Sequence, residues 1–200
     1  MKYRVDPLLA PDSEPDVEQY MRASEALESA PAEAIRTLTA LAERGSPLSM
    51  LTLGCCSRDG IGVAKDLQRA EKWFRSAADT GLARAHYSLG RLYLDAERYV
   101  DAEKEFETAA SAGFVPAVHF LGRIYYFGLG VSPDKIRGRA LLETASRWGC
   151  VYAKAVLAHD LLHESKNAWA FVKGVLMKLE CFVDTTKILL SEGVTSDRFR

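Results

Sequence analysis

The sequence predicts an all-α fold, an α-solenoid of stacked antiparallel helical hairpins. Three observations carry this. Glycines at 45, 81, 113 and 149 recur 36, 32 and 36 residues apart, the signature of an internal repeat. At fixed distances after each come a small residue (Ser49, Ala85, Ala117, Ala153), a leucine (Leu53, Leu89, Leu121, Leu157) and a second small residue (Gly54, Gly90, Gly122, Ala158). Two repeats then add a Gly-x-Gly-Val turn, at 60–63 and 128–131, and an acid, Asp66 or Asp134. A small residue at a fixed place on a helix lets a second helix approach closely, and the leucine before it fills the groove alongside. The glycine that closes each repeat supplies left-handed backbone at no β-carbon cost, which stops a helix.

The chain divides as follows. Residues 1–15 hold Pro7, Pro11 and Pro15 among acids and read as an irregular acidic tail. Residues 16–45 form a degenerate N-terminal hairpin: Asp16 caps a helix over 17–29, Pro31 opens a second over 32–44, and Gly45 ends it. The repeat array proper covers 46–164. Asp66 and Asp134 stand where an N-cap or first-turn acid belongs, ahead of second helices at 67–80 and 135–148. The middle repeat, with its second helix at 99–112, lacks the glycine turn, which explains its shorter period. The buried faces of the three second helices read Ala70/Trp73/Phe74/Ala77, Ala102/Phe106/Ala109/Ala110 and Leu141/Leu142/Ala145. The fourth repeat keeps its first helix, 152–164, and its second half departs from the pattern. Residues 165–200 read as a C-terminal helix over 167–190 and a short tail, the helix either capping the array or meeting a partner.

Over residues 48–163 the chain resembles the Sel-1-like repeat family, relatives of the tetratricopeptide repeats. The Leu-Gly, Gly-x-Gly-Val and Asp features carry the resemblance in the first and third repeats, 49–81 and 117–149. The middle repeat looks more like a tetratricopeptide unit. The resemblance implies a right-handed superhelix and a non-enzymatic scaffold or adaptor that gathers other proteins, in bacteria for envelope, polysaccharide, secretion or signalling machinery. Extracellular members pair a cysteine in each helix of a repeat. Cys55, Cys56, Cys150 and Cys181 do not repeat in that way and read as small buried hydrophobes, with a Cys150–Cys181 pairing left open.

Composition is globular, 48% hydrophobic and 26% charged, and the net charge of −1 gives no general reason to expect a nucleic-acid partner. The first 30 residues carry seven acids and three bases, a solvated acidic head. No signal peptide or membrane-spanning run is seen, so the expected location is cytoplasmic.

Function is expected on the first helices. Positions six, ten and thirteen after each closing glycine lie opposite the apolar face. They supply a concave groove of Tyr87, Arg91, His119, Arg123, Tyr126 and His159. Arginine holds carboxylates bidentately and tyrosine adds contact area at low entropy cost, which suits an acidic or C-terminal peptide segment of a protein partner. The plainer reading is solvated residues paired with acids such as Asp59 or Asp95. No cofactor, metal or catalytic group is expected. His159 and His163 are spaced i, i+4, but two imidazoles make no site and there is no HExxH. The glycine turns lie between helices and lack the phosphate-loop pattern. A different reading makes the C-terminal helix the partner site: a regulatory subunit docked on a membrane protein or membrane surface, or a homodimer through residues 168–190.

Overall fold

The computed structural model describes Glu14, residues 16–163 and residues 168–191. The rest of the expected N-terminal tail and the tail after 191 lie outside the described residues. Among those described there are ten helices and no strand. They form two compact units, residues 1–112 and 113–200.

The first unit holds six helices: α1 (Val17–Ala26), α2 (Pro31–Glu43), α3 (Pro47–Asp59), α4 (Leu67–Asp79), α5 (Ala83–Asp95) and α6 (Tyr99–Ser111). Asp16 caps α1 by accepting from the Gln19 amide at 3.3 Å, and Pro31 opens α2. Gly45, at φ +93°, ends that hairpin, and Ser46 caps α3 through the Ser49 amide at 3.1 Å. The Glu14 carboxylate adds a second cap on α3, taking the Leu48 amide at 3.2 Å. The hairpin is firmly docked: Tyr20, Ala23 and Leu27 share a core with Leu38, Leu41, Leu48 and Leu53. The buried Tyr20 hydroxyl meets that of Thr52 at 3.2 Å.

The second unit holds α7 (Val115–Phe127), α8 (Lys135–Arg147), α9 (Val151–His163) and α10 (Ala168–Ser191). Its α7–α8 loop repeats the α3–α4 loop of the first unit bond for bond. Gly60 and Gly128 take left-handed backbone. The next amide then reaches back to Cys56 or Ile124, each at 3.0 Å. The Asp66 amide bonds Ser57 at 2.7 Å, and the Asp134 amide bonds Tyr125 at 2.8 Å. Both aspartates cap the following helix, through Arg69 and Arg137 at 2.9 Å. In the middle repeat Glu97 adopts φ +58° in place of a glycine, which allows a three-residue turn and the shorter period.

One contact sets how closely each hairpin closes. A β-carbon on Gly54 would strike the Phe74 ring, and one on Gly90 would lie 2.7 Å from Phe106. On Gly122 it would lie 3.0 Å from Leu142. Phe74, Phe106 and Leu142 are fully buried, flanked one turn before by Ala70, Ala102 or Gly138 and one turn after by Ala77, Ala109 or Ala145. The α7–α8 pair is the most intimate, since a side chain on Gly138 would meet the Tyr126 backbone.

The second half of the fourth repeat, expected to depart from the pattern as a C-terminal helix, keeps the packing of a second helix. α10 runs antiparallel to α9 and occupies the place of a second helix. Gly174 stands 25 residues after Gly149, as Gly138 does after Gly113, and a side chain there would meet Ala158 and Leu162. Cys181 matches Ala145 in the same count and is buried, its thiol 3.7 Å from the Val151 carbonyl oxygen. Lys154 ties the pair further, to Asp184 at 2.8 Å and Glu180 at 3.6 Å. The other side of α10 is unlike any second helix before it. Phe171, Val172, Val175, Leu176, Leu179, Phe182 and Val183 are all exposed. The positions 36 residues earlier, on α8, carry Lys135, Ile136, Arg139, Ala140, Glu143, Ser146 and Arg147. A solvent face has been rewritten as an apolar one.

The tight hairpin contact gives a direct expectation. Gly54→Ala should destabilise the protein by about 1–3 kcal/mol, because a buried ring must move to admit one methyl. Urea unfolding measures this, and an unchanged midpoint would show that the contact has slack.

Candidate functional site

The six expected groove residues fall on both units. Tyr87 and Arg91 belong to the first. They sit one turn apart on α5, half-buried, with Arg91 Nη1 donating to the Tyr87 hydroxyl at 3.4 Å. The Tyr87 ring leans on Phe106 of α6, centroids 6.0 Å apart. Arg91 also lines a cavity of about 530 Å³ at the C-terminal ends of α3 and α5. The charged lining is mixed: Arg58, Lys65, Arg91 and Arg98 against Asp59, Glu71 and Asp95. Arg58 is committed there, forking onto both oxygens of Asp59 at 2.7 Å.

The other four belong to the second unit, and here the expectation needs correcting. Arg123 and His159 lie at the surface, Arg123 half-buried and His159 exposed. The Arg123 guanidinium lies 5.5 Å from the Phe120 ring centre. His119 and Tyr126 are instead part of the packing, 6% and 7% exposed. The reason is that a first helix in an array touches more than its hairpin partner. A helical wheel drawn for one buried face undercounts the covered arc. His119 faces Tyr152 of α9 at 6.1 Å between ring centres. Tyr126 donates a short hydrogen bond to Asp160 of α9. Asp160 is itself 5% exposed and takes Arg139 of α8 at 3.1 Å. This buried carboxylate joins three helices, because a charge so deep is stable only with several donors on it. Sequence reasoning passed over it as the second residue of HDLLH. Its signal was an acid on the buried side of a helix otherwise read as apolar.

A second network escaped the sequence. The Tyr93 hydroxyl donates to Glu71 at 3.0 Å and receives Arg75 at 3.0 Å. Arg98 lies 4.2 Å over the Tyr93 ring and pairs with Glu71 and Asp101. These groups tie α4, α5 and the start of α6, so they position helices. A further cavity of about 620 Å³ lies between α2, α3 and α4, walled by Ile35, Thr39, Leu53 and Trp73 with Asp66, Arg69 and Lys72 at its rim. Trp73, expected within the core face, forms part of that wall and is half-buried.

The chemistry of the remaining reactive groups is quiet. Burial pushes the Cys56 thiol up to about 11 and raises that of Cys55, away from the thiolate that a nucleophile needs. Burial also raises the Cys181 thiol, and all four cysteines are free. Among the described residues no cluster of three or more His, Cys, Asp or Glu is placed to hold a metal ion. The side chain of His163 lies outside the described residues. No described helix is long and apolar enough to cross a membrane.

His119 makes the packing pH-sensitive. Burial, helped by the nearby Arg123 charge, lowers its pKa from 6.5 to about 4. Between those values the unfolded chain binds a proton that the folded chain refuses. Stability is therefore full above pH 6.5 and falls as the pH drops toward 4. In His119→Gln the loss of stability from pH 7 to 4.5 should be smaller than in the parent, read from urea midpoints at each pH. Equal slopes would contradict the buried, neutral imidazole.

Comparison with known proteins agrees with this geometry. The family model of the Sel1 repeat matches residues 47–82 and 115–148, the α3–α4 and α7–α8 hairpins. The crystal structure of a Sel1 repeat protein from Oxalobacter formigenes is similar with a TM-score of 0.70 and 24% identity, over 82% of this chain and 72% of that one. The protective antigen c5321 of uropathogenic Escherichia coli, described as displaying an SLR fold, gives 0.68 and 22%, over 91% of this chain and 40% of its own length. The immunity protein Pa5087 from Pseudomonas aeruginosa gives 0.58 and 22%, over 89% and 69%. At these identities the likeness is one of fold. A search of curated proteins finds no match. The two matched stretches, with their closing glycines, glycine turns and capping aspartates, mark the α3–α4 and α7–α8 hairpins as Sel1-type repeats, a repeat typical of protein-interaction scaffolds.

Proposed function

We propose that the protein is a non-enzymatic adaptor whose first helices take up segments of a protein partner. In the first unit the contact surface is Tyr87 and Arg91, and in the second it is Arg123 and His159. The observation that supports this is a feature shared by both units. An arginine stands at the tenth position after the closing glycine, half-buried, with an aromatic side chain beside it: Tyr87 for Arg91 and Phe120 for Arg123. An aromatic neighbour restricts the guanidinium before any ligand arrives, so less side-chain entropy is lost on binding. A guanidinium so placed suits a carboxylate, which makes an acidic or C-terminal peptide segment the favoured ligand. His119 and Tyr126 act beneath this surface as positioning residues, fixing α7 against α9.

The test is capture of partners from native cells on the immobilised protein, with the retained proteins identified and then compared between variants. Arg91→Glu and Arg123→Glu should each lower retention at least about tenfold, while helicity and melting stay as in the parent. Undiminished retention in the double reversal would remove the first helices from the binding surface.

A further inference from the structure

The outer side of α10 is an apolar stripe. Phe171, Val175, Leu179 and Phe182 follow one another at gaps of four, four and three, and Val172, Leu176 and Val183 lie beside them. That spacing keeps the residues on one side of a helix. Gly174 and Cys181 mark the opposite side, turned to α9, so the stripe is what α10 presents once it has docked. Its seven side chains are 38–69% exposed. Together they present roughly 700 Å² of apolar surface, given the side-chain areas involved. A stable dimer buries about 800 Å² on each partner, and scattered single hydrophobes on a surface do not reach such a contiguous area.

We propose that α10 pairs with α10 of a second copy of this chain, antiparallel, about a two-fold axis near Met177. Three features select a second copy. The area matches what one partner of a dimer contributes. The stripe is long, on a helix of 24 residues where α2 to α9 have 13 each. It is also self-complementary in volume. Reversing α10 about Met177 sets Val172 against Phe182, Val175 against Leu179 and Phe171 against Val183, so in these three pairs the larger side chain meets a smaller one, while Leu176 comes level with Lys178. A two-fold contact requires one patch to fit itself in this way. Lys178 lies at the edge of the stripe, where its long stem covers apolar surface and its charge reaches water. The positions equivalent to the stripe on α8 hold Lys135, Arg139, Glu143 and Arg147, which would forbid such pairing there. This inference stands apart from the adaptor reading, because it uses neither Arg91 nor Arg123.

Sedimentation equilibrium on the full chain decides it. The parent should be a dimer at micromolar concentration. Leu179→Glu and Phe182→Glu, both at exposed positions, should weaken dimerisation by at least about 100-fold with helicity and melting of the dilute protein retained. Orientation is read by disulfide trapping in a background with the four native cysteines changed to serine. A mixture of Val172→Cys and Phe182→Cys chains should cross-link as a heterodimer, and Val172→Cys alone should not. A parent that stays monomeric at about 100 μM, a concentration at which even a weak specific dimer forms, overturns the proposal. So does a dimer that survives Leu179→Glu. Cross-linking of Val172→Cys to itself refutes the antiparallel arrangement. A monomer that floats with phosphatidylglycerol vesicles, and loses this on Leu179→Glu, overturns the proposal in favour of a lipid surface.

Discussion

The architecture depends on a contact between a bare α-carbon and a large side chain. In three hairpins a glycine on the first helix lies under Phe74, Phe106 or Leu142 of the second. The gap in one helix is filled by the bulk of the other, which brings the two axes close and fixes their register. Small residues one turn to either side let the approach continue along the helix. Helices of 13 residues then suffice from α2 to α9, since each buries most of its apolar side within its own hairpin. The glycines at 45, 81, 113 and 149 have another duty. A β-carbon there would meet nothing, and the requirement is their positive φ, which turns the chain into the next hairpin.

Tight hairpins restrict what the surface can do. The first helices give up most of their circumference to packing, and in the second unit the deep Asp160 holds α7, α8 and α9 on one carboxylate. What remains for a ligand is narrow: an arginine with an aromatic neighbour in each unit, and few other positions. The second helices spend their outer sides on charge, until α10 reverses that habit. The two proposals therefore rest on different elements, partner binding on the first helices and self-association on the last helix.

Most of the fold was legible because glycine has few reasons to recur. The closing glycines, the two glycine turns and the capping aspartates each stand where expected, and helix limits differ by one residue at most except at the end of α1, which stops three residues early. The site was less legible. His119 and Tyr126 sit at the same wheel positions as Tyr87 and its neighbours, yet neighbouring helices cover them, and a wheel cannot count neighbours. Gly174 and Cys181 kept the spacing of a second helix, but the large residue between them had become Lys178 and no Leu-Gly preceded them. The pattern survived in the small residues, which are the easiest to overlook.

A double-mutant cycle between Gly90 and Phe106 tests the glycine contact most directly. Gly90→Ala and Phe106→Leu are each destabilising alone, the first by crowding and the second by leaving space. If the contact sets the spacing of the hairpin, the smaller side chain should relieve the crowding, and the pair should be more stable than the sum of the two by at least about 1 kcal/mol. Additive losses would mean that Gly90 and Phe106 act independently and that the hairpins are held by something else.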